Sequence, residues 1–258
     1  AAVSLTGSSR AGRSVAGAAG AALKPCVLEL GGSDPALVLA DADLELAVEQ
    51  CAVGRMINGG QSCIATKRII VVRSLRPRFE EALRARLARM RVGDPRDEAT
   101  ELGPMAREDL RDVLARQVAA SIATGAACRL GGETPAGAGW FYPVTLLTDP
   151  HPESPACREE LFGPVATLIE AIDEEEAIRL ANATAYGLGA AVYSRDLERA
   201  EAIARDRLEA GSAFVNAFVR SDPRLPFGGT KASGWGRELG REGLLAFTHA
   251  KTVWMARG

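Results

Sequence analysis

Along this chain, short runs of apolar residues alternate with longer stretches in which apolar positions recur at helical spacing. The short runs predict strands over 2–6, 26–30, 35–39, 67–73, 165–170, 188–193 and 212–216, with another short strand beginning at Cys128. The longer stretches predict helices over 11–23, 43–57, 75–91, 105–123, 173–183 and 195–208. Strands alternating with helices in this way indicate an α/β protein with a substantial parallel sheet. Asp41 and Asp43 read as caps for the helix that follows them. The glycine- and proline-rich stretch 131–140 reads as a surface excursion, because the α/β rhythm resumes after it. From 216 to 243 the rhythm breaks. That segment has many glycines, Pro223 and Pro226, and no regular period, yet Phe218, Leu225, Phe227 and Trp235 punctuate it as an ordered, functional segment is punctuated. The last apolar run, 247–256, predicts a closing strand whose open edge invites a second subunit.

Composition narrows the function classes. At 258 residues and 47% hydrophobic content, the chain can bury one large or two small cores. Its formal charge of −2, with basic residues scattered, gives no footprint for nucleic acid. No apolar run is long enough to span a bilayer. Five cysteines, at 26, 51, 63, 128 and 157, form no C-x-x-C pair, and no secretory signal is visible, so a reducing cytoplasm is the expected setting. The sequon Asn182-Ala-Thr184 then reads as ordinary helix-end polarity. The chain opens on Ala1-Ala2, and its second element is already a phosphate-type turn, which suggests that something upstream is missing.

That turn is Gly7-x-x-x-x-Gly12-Arg13-Ser14, one residue away from a P-loop. The mismatch falls on the demanding position, where the broad Arg13 guanidinium replaces a compact ammonium. A phosphate-binding protein of P-loop type therefore stands only as a remote alternative. Amides at the start of the helix would still attract an anion.

Two groups could carry chemistry. Cys51, within a helical apolar pattern, and Cys26, beside a strand, read as core residues; Cys157 lies in a polar loop without a chemical partner. Cys63 differs. In "NGGQSC" the chain leaves a helix through Gly59-Gly60 and turns at once into a strand, where open amides can lower the energy of a thiolate and hold an oxyanion. Neither His151 nor His249 sits in a motif that would make it a protease partner for that thiol. Glu29, in "LELGG", either is desolvated at a strand end and acts as a general base, or faces solvent from an edge strand.

Taken in order, "LTGS", "LELGG", "NGGQSC", "EELFGPV", "YGLGAAVYS" and "PFGGTKASGWGRELG" resemble the aldehyde dehydrogenase superfamily from end to end. "GRMINGGQSCIATKR" and "VRSDPRLPFGG" are most similar to its succinate-semialdehyde dehydrogenase branch. The resemblance implies an aldehyde dehydrogenase-like catalytic domain with a parallel sheet and flanking helices, plus a remnant of a dinucleotide-binding domain. Residues 1–30 would be the remnant, 31–240 the catalytic domain and 241–258 a C-terminal segment with an oligomerisation strand. It makes Cys63 the nucleophile and Glu29 the base, and puts Gly7 and Ser8 near the pyrophosphate of NAD or NADP. It also sets Leu30 and Gly31 beside the nicotinamide, Glu160 on its ribose and Phe162 against it. Ser221, with Arg220 or Arg224, would hold the distal carboxylate of a small aldehyde such as succinic semialdehyde, although these arginines equally read as partners of Asp222 or as solvent-facing. No metal is implied, and the complete enzyme is expected to be a homo-oligomer. Family members run to nearly twice this length, so the chain reads as a C-terminal half. The alternative is a folded, non-catalytic fragment that acts only through assembly.

Overall fold

A computed structural model describes residues 2–257; Ala1 and Gly258, the outer ends of the two terminal segments, lie outside the described residues. The strands are β1 (Val3–Thr6), β2 (Cys26–Glu29), β3 (Asp34–Val38), β4 (Thr66–Val72), β5 (Ala127–Leu130), β6 (Thr145–Thr148), β7 (Val165–Ala171), β8 (Tyr186–Gly187), β9 (Gly189–Tyr193), β10 (Ser212–Val215), β11 (Thr230–Lys231) and β12 (Gly234–Trp235). The helices are α1 (Ser9–Ala21), α2 (Leu44–Met56), α3 (Arg76–Ala88), α4 (Glu108–Ala123), α5 (Pro155–Arg158), α6 (Glu174–Asn182), α7 (Leu197–Asp206) and α8 (Gly240–Leu245).

Seven strands form one sheet in the order β10-β9-β3-β4-β7-β6-β5, parallel throughout except for β5, which runs antiparallel to β6. Its central strands have no polar alternation because both faces are covered. Ala36, Val38, Ile69 and Val71 pack with Cys51 of α2 and with Phe79 and Leu83 of α3. The intervening Leu37, Ile70 and Val72 turn to the other face, against Ala177 and Ile178 of α6 and Ala200 and Ile203 of α7. A smaller sheet, β1-β2-β12, stands apart from this layer. Its β1 and β2 are parallel, while β12 runs antiparallel to β2 on the opposite side.

Asp43 caps α2 as expected, and Ser8, Asp173 and Asp196 likewise each accept a backbone N–H in the first turn of the helix they precede. Asp41 is not a cap. Its carboxylate accepts from Ser194 Oγ at 2.8 Å and pairs with Arg199 at 2.6 Å, fastening the end of β3 to the chain leaving β9. The helix expected from 105 begins at 108, because Met105 is drawn off to donate to Trp140 O at 2.9 Å. The closing strand expected over 247–256 is not formed. A strand needs a neighbour to accept its hydrogen bonds, and here Val253, Trp254 and Met255 stand 74%, 87% and 84% exposed. The irregular 216–243 segment contains the two-residue strands β11 and β12, which close onto β8 and β2. No helix among the described residues is long and apolar enough to cross a membrane.

Candidate active site

The nucleophile's turn is made by a backbone that doubles back. After α2, residues Ile57–Gly60 form a tight turn in which Asn58, Gly59 and Gly60 have φ of 51°, 62° and 73°. A side chain at Gly60 would be strained by that φ and would strike Gly163 O. The chain thus delivers Ser62 and Cys63 to the N-terminal end of β4. Cys63 is half-buried. Among the described residues neither its amide nor that of Ile64 donates to a protein oxygen, and the Ile64 amide faces the Cys63 sulfur. Beneath the turn, buried Lys67 donates to Ser62 O at 2.8 Å, Cys63 O at 2.9 Å and Ala65 O at 3.3 Å, and its Nζ lies 3.7 Å from Glu160 Oε1.

The expectation that this turn lowers the thiol is not met in the free chain. Burial pushes the Cys63 thiol up, with smaller contributions from the Asp34 and Glu160 carboxylates, and together these outweigh the pull of the Lys67 ammonium. Cys51 is the core residue expected, its thiol pushed up strongly by burial beside Tyr193. Cys128 is exposed on β5, and Cys26 and Cys157 are half-buried.

Glu29 ends β2 at 2% exposure, and neither carboxylate oxygen has a protein hydrogen-bond partner. The alternative of a solvent-facing glutamate on an edge strand therefore fails, since β2 is the central strand of its sheet. Burial pushes Glu29 up to about 7, the Glu238 carboxylate adds to this, and Arg237 opposes it. The next two residues are held by the fully buried Ser233. Its carbonyl accepts from Leu30 N at 3.0 Å, and its hydroxyl donates to Gly31 O at 2.7 Å while accepting from Gly187 N at 3.0 Å.

Between the C-terminal ends of β1 and β2 and the turn before β4 lies a cleft of about 580 Å³. Its lining includes Cys63, Glu29, Gly7, Ser8, Leu30, Gly31, Glu160 and Phe162, so the fold gathers every expected catalytic and cofactor-binding position into one place. Two parts of the lining suit groups of a dinucleotide. Ser8 caps α1, no acidic residue occupies that helix's first turn, and its N-terminus opens on the cleft as an anion site would. Glu160, whose Oε1 accepts from Gly32 N at 3.0 Å, brings carboxylate acceptors suited to a sugar diol.

Ser221, Arg220 and Arg224 are exposed and do not line this cleft. Arg224 grips Asp222 through Nε at 2.9 Å and Nη2 at 2.6 Å, holding that carboxyl well below its usual range. Its charge is therefore taken up locally.

Four residues escaped the sequence reading: Ser233, Asp34, Lys67 and Arg55. The last three are charged and buried at or beside the ends of apolar elements. A signal existed for Lys67, because the strand "KRIIVV" is apolar on both faces and leaves its leading cations no solvent to reach.

Comparison with known proteins gives the family. The sequence profile of the aldehyde dehydrogenase family matches residues 1–253. Similar relatives include a succinate semialdehyde dehydrogenase [NAD(P)+] of Escherichia coli, 52% identical over 257 residues, which cover 100% of this chain and 55% of the relative. A succinate-semialdehyde dehydrogenase [NADP(+)] of Mycobacterium avium is 48% identical over 255 residues, covering 99% of this chain and 54% of the relative. Among solved structures, a Mycobacterium tuberculosis aldehyde dehydrogenase complexed with NAD+ superposes with a TM-score of 0.95 at 36% identity, over 99% of this chain and 53% of the other. The chain spans about half the length of the curated relatives it matches.

Proposed function

This chain belongs to the aldehyde dehydrogenase family, and on that premise we propose that it carries the thiol and the base of an enzyme oxidising a small aldehyde to its carboxylic acid. The observation that carries the proposal is the meeting of Cys63 and the unpartnered Glu29 in one cleft. The Cys63 thiolate adds to the aldehyde carbon, and the carbonyl electron pair moves onto oxygen, opposite the free Cys63 amide. Gly7, Ser8 and Glu160, with Leu30, Gly31 and Phe162 at the ring, would hold NAD or NADP, which would supply the two-electron acceptor for the hydride lost between thiohemiacetal and thioester. Glu29 then takes a proton from water, whose oxygen attacks the thioester carbon; the acid departs and Cys63 is left as thiolate. Cytoplasmic residence and assembly as a homo-oligomer belong to the same proposal.

The relatives named for succinic semialdehyde favour a substrate with a distal carboxylate. Arg224 is occupied by Asp222, and Ser221 and Arg220, which lie outside the cleft lining, would receive a carboxylate that reaches beyond it by charge-assisted hydrogen bonds. The test compares kcat/KM for succinic semialdehyde and butyraldehyde on the protein as its gene encodes it, with Cys63→Ala as control. A large preference for the former, lost in Arg220→Gln, is expected. A ratio near unity ends the carboxylate assignment, and turnover in Cys63→Ala ends the thiol mechanism. A second reading, a folded chain acting only through assembly, draws on the small size of the three-stranded sheet beside the dinucleotide position.

A further inference from the structure

The peptide units on either side of Cys63 share one anchor. Lys67 Nζ donates to Ser62 O and Cys63 O at 2.8 and 2.9 Å, from a side chain that is 2% exposed. In a trans peptide the C=O and N–H point in opposite directions, and no cis peptide occurs among the described residues. Drawing both carbonyls down onto one buried ammonium therefore turns the amides of Cys63 and Ile64 the other way, towards the cleft that Ser62 and Cys63 line. Every group facing Nζ at short range is an acceptor: three carbonyls and the Glu160 carboxylate. Burial and, to a smaller degree, the Arg55 guanidinium pull Lys67 down to about 8, while Glu160 and Asp34 oppose this, so the side chain is mostly a cation at neutral pH. The Ile64 amide is near enough to the Cys63 sulfur to favour its ionised form.

We infer that Lys67 is the positioning residue of the oxyanion site, aiming and polarising the Cys63 and Ile64 amides as a pair. The inference rests on the reading of Cys63 as nucleophile. It goes further by assigning the electrophilic half of the site to a cation that never touches substrate.

Two reactions at Cys63 separate this role from a general one. With p-nitrophenyl acetate the thiolate attacks the carbonyl carbon, an oxyanion forms, p-nitrophenolate leaves and the acetyl group stays on sulfur. With iodoacetamide the thiolate displaces iodide at a saturated carbon, and no oxyanion forms. Both reactions start from the same thiolate, so any change in its ionisation cancels in their ratio. Lys67→Met should slow acylation roughly 10²-fold, the scale of a lost oxyanion donor, while alkylation stays within about threefold. Lys67→Arg, which restores a cation, should recover at least about tenfold of the acylation. Equal loss of both reactions, loss of neither, or no recovery with arginine overturns the inference. Circular dichroism reports whether the variants fold. If the methionine variant does not, Lys67→Gln, with a shorter neutral donor, should lose acylation preferentially, and equal losses overturn the inference there too. A wild-type chain whose Cys63 takes no acetyl group overturns the nucleophile reading instead, which keeps the two failures distinct.

Discussion

Glu29 occupies its place against its own preference for water. At 2% exposure with no protein partner, its carboxyl is pushed from 4.5 up to about 7, chiefly by burial. Between those two values the folded chain keeps a proton that the unfolded chain releases, so stability falls as pH rises through that window and the full cost is present above it. Glu29→Gln should therefore raise unfolding stability at about pH 8 by roughly 2–3 kcal/mol, with the gain gone below about pH 4.5; urea titrations at both pH values check this. The same residue should govern deacylation. With p-nitrophenyl acetate, the steady-state rate should rise with pH to a plateau above about 7, where the base is ionised. Glu29→Gln should give a normal burst followed by a slow, nearly pH-independent phase, and an unchanged steady state removes Glu29 from the role. That this carboxylate could be a base was legible in "LELGG". Its burial was not, because the segments that cover it, around Gly228 and β12, come some two hundred residues later.

At the scale of elements, Arg55 ties the site's two loops together. It is fully buried in the last turn of α2, and its guanidinium donates to Val165 O and Leu161 O at 2.6 Å, to Gly60 O at 3.3 Å and to Gly163 O. One side chain thereby joins the turn before Cys63 to the loop after Glu160 and the start of β7. Arg55→Leu would leave these carbonyls buried without donors, and should cost at least about 3 kcal/mol in urea unfolding. It should also slow Cys63 acylation, because both loops lose their register. A cost within about 0.5 kcal/mol, the range of an ordinary surface substitution, would contradict the account. The long elements were predicted within a few residues because their periodicity and their caps are local. The two-residue strands β8, β11 and β12 were not, since nothing in so short a run marks a strand until its partner is present.

At the scale of the molecule, the sheet beside the proposed dinucleotide position has three strands, with β1 at an edge, whereas the thiol-bearing side has a seven-stranded layer. These 258 residues by themselves should accordingly hydrolyse an activated ester through Cys63 but reduce neither NAD+ nor NADP+ with an aldehyde, because so small a sheet cannot orient a nicotinamide. Near-ultraviolet absorbance of the reduced cofactor, with Cys63→Ala as control, checks this; thiol-dependent turnover would refute it. The exposed tail at Val253, Trp254 and Met255 should drive self-association in sedimentation velocity, weakened by Trp254→Asp. Equal association of the two proteins would show that the tail is not the contact.

The residue pattern alone determined the alternation of strands and helices, the helix start at Asp43, and the candidacy of Cys63 and Glu29. Each of these follows from chemistry within a few residues: the period of burial, a side-chain oxygen at a helix end, a thiol in a glycine turn. The tertiary structure decided what surrounds those groups. It brought Glu160 to within hydrogen-bonding distance of Gly32, 128 residues away, and Ser233 onto Gly31, 202 residues away. It pushed the Cys63 thiol's pKa up rather than down, put Lys67 beneath the turn, and left Ser221, Arg220 and Arg224 outside the cleft. Protonation and donor direction depend on what excludes water and which oxygens converge at a point. Distant segments supply both only once the chain is folded.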